Sequence, residues 1–151
     1  MSDTSTTPGA GAAPAVTFGT VDVGDEAPVL THTLTRADLV QYAGASGDFN
    51  PMHTDEPAAK EAGLASVFGH GMFSAGLLAT ALTNWVGVGN LVRYNVRFVK
   101  QTWPGEEFAT RIKVTAKRED GGRHLVDLEC SLSNQHGEVK VAGEATAALP
   151  D

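Results

Sequence analysis

From Val92 onwards the hydrophobic period is two. In "VRYNVRF" (92–98), Val92, Tyr94, Val96 and Phe98 share one face, while Arg93, Asn95 and Arg97 take the other. Phe108, Thr110, Ile112 and Val114 alternate with Ala109, Arg111 and Lys113, and Val126, Leu128, Cys130 and Leu132 with Asp127, Glu129 and Ser131. Val139 and Val141 open a last run towards Leu149. This is the pattern of strands with one covered face. Turn signals separate the runs: "WPGE" at 103–106, "EDGG" at 119–122 and "NQHG" at 134–137. A further strand is expected near 28–34.

Upstream of the strands the period is helical. "TRADLVQYAGAS" (35–46) carries Leu39, Val40 and Ala43, with Tyr42 alongside. Thr35 and Asp38 stand at capping-box spacing, and Gly44 and Gly47 mark the end. "TDEPAAKEAG" (54–63) predicts a short helix, with Thr54 or Asp55 as cap, Pro57 in the first turn and Gly63 as terminator. "HGMFSAGLLATALTNWVG" (70–87) is apolar on nearly every side, which predicts a buried helix. It is too short and too interrupted to cross a bilayer. One buried helix and a meandering antiparallel sheet give an α+β layout in which the sheet wraps the helix. That layout is the hot-dog fold.

Length and composition narrow the function. The 151 residues amount to one domain, expected over 16–151. Residues 1–15, rich in Ser, Thr, Gly, Ala and Pro, read as a flexible tail. They lack the basic and apolar regions of a secretory signal. A net charge of −7 argues against nucleic-acid binding. The single cysteine, Cys130, excludes an internal disulfide and a cysteine-cluster metal site. A reduced, cytoplasmic setting follows as the expectation, without membrane insertion.

Chemistry concentrates in two short stretches. "GDFNPMH" (47–53) sets Asp48 and His53 in one tight connection stiffened by Pro51. An ordinary account makes Asp48 or Asn50 the start of an Asx-turn and His53 a surface residue. The chemical account makes them a carboxylate and an imidazole held for proton transfer. "FGHGM" (68–72) frees the backbone at Gly69 and Gly71 where the apolar helix begins. Those glycines serve tight packing, or they open a helix N-terminus to a carbonyl oxygen that gains negative charge.

Other polar residues carry less. Asp48, His53 and His70 match no zinc spacing, so no metal is expected. Ser74 misses the nucleophile-elbow pattern because Met72 stands at its first glycine, and it reads as a small packing residue. His32, His124 and His136 read as solvated, Trp85 and Trp103 as packing residues, and Cys130 as core-facing and inert.

"YAGASGDFNPMH", followed by Ala58 and by "HGM" at 70–72, closely resembles the hydratase-2 motif of MaoC-like dehydratases and (R)-specific enoyl-CoA hydratases. The resemblance runs from about Val21 to Leu149. Through "LTRADLVQYAGASGD" and "VRYNVRF" it is especially similar to the catalytic subunit of actinobacterial (3R)-hydroxyacyl-ACP dehydratases. Met52 stands where the motif usually has Leu, Ile or Val. The resemblance implies Asp48 and His53 as the catalytic pair, the Gly71 backbone N–H as the oxyanion donor, and Asn50 as a brace for the loop beside Pro51. It implies a substrate carried on coenzyme A or acyl carrier protein, and no cofactor. His53 is the favoured base towards water. Two rivals stay open: a hot-dog thioesterase, and a non-catalytic acyl-binding subunit. An exposed "VRYNVRF" edge predicts a homodimer, with a heterodimer of two hot-dog subunits as the alternative.

Overall fold

A computed structural model describes residues 15–151 of the chain. The elements are β1 (Thr31–Thr33), α1 (Arg36–Ser46), a 3-10 turn (Pro51–His53), α2 (Glu56–Glu61), α3 (Gly71–Val86), β2 (Leu91–Phe98), β3 (Glu107–Asp120), β4 (Arg123–Ser133) and β5 (Val139–Ala148). The five strands form one antiparallel sheet in the order β1-β3-β4-β5-β2, so β1 and β2 are its edges. α3 packs against β2, β3, β4 and β5. Its Leu78, Leu82, Trp85 and Val86 join Phe108, Ile112, Leu128, Leu132 and Ala147 in the core. This is the hot-dog arrangement that the periodicity predicts. Among the described residues no helix is long and apolar enough to cross a membrane.

Local chemistry sets the helix ends. The Thr35 hydroxyl accepts from the Asp38 N–H at 3.1 Å, and the Asp38 carboxylate accepts from the Thr35 N–H at 2.8 Å. Gly47 closes α1 at φ 75°, a left-handed conformation that glycine adopts without a Cβ penalty. Asp55 caps α2. Tyr94 fastens the edge strand to the helix, donating its hydroxyl to the Ala75 carbonyl at 2.8 Å. Burial, with a smaller contribution from Cys130, pushes the Tyr94 pKa up, so it stays a donor. Burial likewise raises the Cys130 thiol to about 11, in keeping with an inert core residue.

Several expectations need correction. The strand expected at 28–34 is only three residues long. α3 is not buried all round: Met72, Gly76, Thr80 and Asn84 form an exposed stripe, as residues four apart on a helix share a face. A register shift between Leu91 and Arg93 turns Val92 outward, and Phe98 is exposed at the far end of β2. A register shift in the β4–β5 pairing, at Leu132/Ser133, leaves Val139 exposed and buries Lys140 beside Val141.

Two histidines expected to be solvated have partners. His32 meets Asp38 at 2.9 Å, and His124 stacks on Phe18 and meets Asp151 at 2.5 Å. The stretch read as a tail lies outside the described residues except for Ala15, whose N–H donates to the Trp85 carbonyl at 3.0 Å.

Candidate active site

The connection between α1 and α2 is built from its own side chains. The Ser46 hydroxyl accepts from the Asp48 N–H at 3.2 Å, and Asp48 Oδ1 accepts from the Asn50 N–H at 3.3 Å. Asn50 Oδ1 then accepts from the Met52 N–H at 3.1 Å and caps the 3-10 turn, with Pro51 in its first position. The Asx-turn account therefore holds for both Asp48 and Asn50. It does not exclude the chemical one, because only Oδ1 of Asp48 is used in the turn.

Oδ2 of Asp48 faces His53 Nε2 at 3.8 Å. The Asp48 side chain is 53% exposed and the His53 side chain 8%. His53 Nδ1 lies 2.6 Å from the Phe68 carbonyl oxygen. A carbonyl can only accept, so Nδ1 carries the proton and, in a neutral ring, the Nε2 lone pair points towards Asp48. A gap of 3.8 Å is too long for a hydrogen bond, and one water can bridge it.

Phe68 is itself fixed. Its N–H donates to the Met52 carbonyl at 3.2 Å, and Gly69 N–H donates to the Thr102 carbonyl at 2.8 Å. Glu56, in the first turn of α2, accepts from Arg36 at 2.7 Å, Ser66 at 3.0 Å and the Val67 N–H at 3.4 Å. The Arg36 hydrogen bond holds the Glu56 carboxyl at a pKa of about 2, against an opposing burial effect and with help from Ser66 and Val67.

Gly71 opens α3, so its N–H stands ahead of the helix's own hydrogen-bond ladder. The packing account of the two glycines holds. A Cβ on Gly69 would run into the Thr102 hydroxyl, and one on Gly71 would sit 3.0–3.1 Å from the Phe98 ring. Both demands meet at one place. Beside Gly71 lies a mostly apolar cavity of about 340 Å³, walled by Phe68, Ser74, Phe98, Thr102 and Val141. A larger concavity of about 730 Å³ lies elsewhere and is lined by Arg93, Arg97 and Arg118 with Asp127, Glu129 and Glu144. Its charges balance, and none of the site residues above lines it.

The sequence motifs do not point to the task of His70. Its Nε2 lies 3.1 Å from the Asp48 carbonyl, and its ring stacks on His53 at 3.7 Å and 26°. The available signal is its place between two glycines at the helix start. Asp48, His53 and His70 bring potential ligand atoms within 4.8 Å of one another.

A family model described as MaoC-like domain matches residues 22–135. An (R)-specific enoyl-CoA hydratase from Aeromonas caviae is 30% identical over 132 residues, covering 86% of this chain and 96% of that protein. A mitochondrial 3-hydroxyacyl-[acyl-carrier-protein] dehydratase from Arabidopsis thaliana is 28% identical over 122 residues, covering 80% of this chain and 74% of that protein. The solved structure of R-hydratase PhaJ1 from Pseudomonas aeruginosa in the unliganded form superposes with a TM-score of 0.82 at 26% identity, over 92% of this chain and 88% of that one.

Proposed function

The chain belongs to the MaoC-like domain family, and from that premise we propose that it reversibly hydrates trans-2-enoyl thioesters to (3R)-3-hydroxyacyl thioesters. One observation carries the reading: Asp48 Oδ2 and His53 Nε2 face each other at 3.8 Å, close enough to hold one water between them. Asp48 and His53 are the catalytic pair, and Gly71 supplies the oxyanion donor. Asn50 and Pro51 hold the loop. His53 Nε2 takes a proton from the water as its oxygen bonds to Cβ. The alkene electrons move towards the thioester carbonyl, whose negative oxygen the Gly71 N–H stabilises at the positive end of α3. The pair then delivers a proton to Cα. In dehydration the roles reverse. The addition is redox-neutral, so it calls for no electron-carrying cofactor.

The acyl group rides on coenzyme A or an acyl carrier protein, and we place the activity in the cytoplasm. We further propose that the chain is a homodimer. β2 is an edge strand, and exposed Val92 and Phe98 on it, with Met72 on α3, leave apolar surface beside that edge. A second copy pairing there would cover both through one isologous contact. Light scattering on the purified chain measures this directly. An active monomer excludes the proposal, and an inactive monomer rescued by another hot-dog subunit selects the heterodimer.

The functional reading is tested with crotonyl-CoA and longer enoyl-CoAs, scoring product stereochemistry. A (3R) alcohol is the expected product. Release of free CoA would make the protein a thioesterase instead, and binding without turnover would make it an acyl-binding subunit.

A further inference from the structure

Among the described residues, three buried side-chain polar atoms have no hydrogen-bond partner: His70 Nδ1, Ser74 Oγ and Thr102 Oγ1. Of these residues, only His70 touches the facing pair. It is 2% exposed. One ring face stacks on His53, and Tyr42 packs against it edge-on at 4.9 Å. Because the Asp48 carbonyl can only accept, His70 Nε2 carries the proton, and in a neutral ring Nδ1 is bare. At His53 the Phe68 carbonyl imposes the reverse, with the proton on Nδ1 and Nε2 bare. Two backbone carbonyls therefore lock the two stacked rings into opposite tautomers.

An apolar ring of similar bulk would fill this space without stranding a buried acceptor. What a histidine adds is its one bond, to the Asp48 backbone. The other hydrogen bonds on Asp48 are local, reaching Ser46 at the exposed end of α1 and Asn50 in the loop. His70 comes from 22 positions along the chain and is rooted at the start of α3. Resting on the acid–base reading of Asp48 and His53, we propose that His70 is a positioning residue for that pair. Its Nε2–H fixes where the Asp48 backbone sits, and so where the Asp48 carboxylate stands against His53.

Two substitutions in the full chain separate this from a packing role. His70→Phe keeps a ring against His53 and Tyr42, removes the stranded Nδ1 and deletes the donor to Asp48. It should lower kcat for crotonyl-CoA about tenfold to a hundredfold, leave KM within about threefold, and leave the unfolding midpoint no lower than wild type. His70→Gln restores an amide donor without the ring and should bring kcat back to within about fivefold of wild type. Retention of kcat within about twofold in His70→Phe, or no rescue by Gln, overturns the proposal.

An arm independent of turnover uses the ring-nitrogen NMR signals of His53. Asp48→Asn should perturb them in the wild-type and His70→Gln backgrounds, and by less than about half as much in His70→Phe. Equal perturbation in all three backgrounds also overturns the proposal. A wild-type chain that hydrates no enoyl thioester would remove the catalytic reading. The NMR comparison then decides alone whether His70 holds Asp48 against His53.

Discussion

Two pairs of a carboxylate and a basic side chain invite comparison. Lys140 and Glu106 lie 2.8 Å apart, with side chains 3% and 12% exposed. Both groups have further partners: Lys140 Nζ also donates to the Gln101 carbonyl at 3.0 Å, and Glu106 accepts from Asn134 Nδ2 at 2.6 Å through Oε2 and from the Trp103 N–H at 2.6 Å through Oε1. Asp48 and His53 stand 3.8 Å apart, with the acid half exposed and the imidazole sealed. The first pair spends its charges on itself and on its protein neighbours. The second is held at a distance by bonds that point away from the gap, through Asp48 Oδ1 and His53 Nδ1, and keeps one atom of each group open. Proximity alone does not distinguish the two pairs. What does is which atoms the surroundings leave unspent.

The comparison breaks first at the sealed pair. Lys140→Met strands the Glu106 carboxylate in a nearly dry site, and losing one partner of a buried ion pair costs about 3–5 kcal/mol. We expect a large drop in unfolding midpoint, while kcat per folded molecule stays close to wild type, because Lys140, although it lines the cavity beside Gly71, has no hydrogen bond to Asp48 or His53. Chemical denaturation and single-concentration kinetics on the same sample measure both. A variant with normal stability would show that the Lys140–Glu106 pair is not the brace described.

The open pair should respond in the opposite sense. Asp48→Asn and His53→Gln nearly preserve shape, so each should lower kcat by about a hundredfold or more, equivalent to about 2.7 kcal/mol, with the fold intact. Turnover above about a tenth of wild type in either variant would remove that residue from the catalytic pair.

What could be read from the chain divides along the same line. The capping box at Thr35 and Asp38, the stop at Gly47 and the phase of β3 and β4 are short-range, and local pattern carries them. The Asp48–His53 pair was legible for the same reason, since both residues sit in one turn. The burial of Lys140 was not, because it follows from a register shift between two strands that local alternation does not encode. The task of His70 depends on a contact across 22 positions, and the exposed stripe of α3 on how far the sheet wraps. Alternation gives the face of a residue within its strand. It does not show where the sheet stops covering the helix, which is why Phe98 emerges exposed.

A smaller effect, visible through pH, concerns the anchor of the site loop. Glu56 accepts from Arg36, Ser66 and Val67, and its folded pKa of about 2 lies below the ordinary 4.5. A depressed carboxyl contributes stability that is fully present above its unfolded value and is lost as pH falls through the folded one. The wild-type chain should therefore lose this contribution between about pH 4.5 and about pH 2. Glu56→Gln should be modestly less stable at neutral pH and should lack that part of the acid slope. Parallel slopes for the two proteins would mean that Glu56 is not the group responsible.

The smallest effect is expected at the N-terminus. Residues 1–14 are dominated by Ser, Thr, Gly, Ala and Pro and bring too little apolar surface to stabilise a docked segment. Their removal should leave unfolding midpoint and kcat unchanged within error. Beyond that stretch the chain is fastened: Ala15 N–H bonds the Trp85 carbonyl at 3.0 Å and Phe18 N–H the Pro150 carbonyl at 2.8 Å. The Phe18 ring also stacks on His124 at 4.4 Å and lies 4.5 Å below the Lys117 ammonium, which donates to the Phe18 carbonyl at 2.7 Å. Cutting after residue 18 exposes the surfaces that Phe18 covers and should lower the midpoint by several degrees, while kcat stays near wild type because Asp48, His53 and His70 keep their bonds. A loss of stability on removing residues 1–14 alone would mean that this stretch contributes packing its composition does not foretell. A loss of kcat after the longer cut, in protein that remains folded, would mean that this end of the chain reaches the active site.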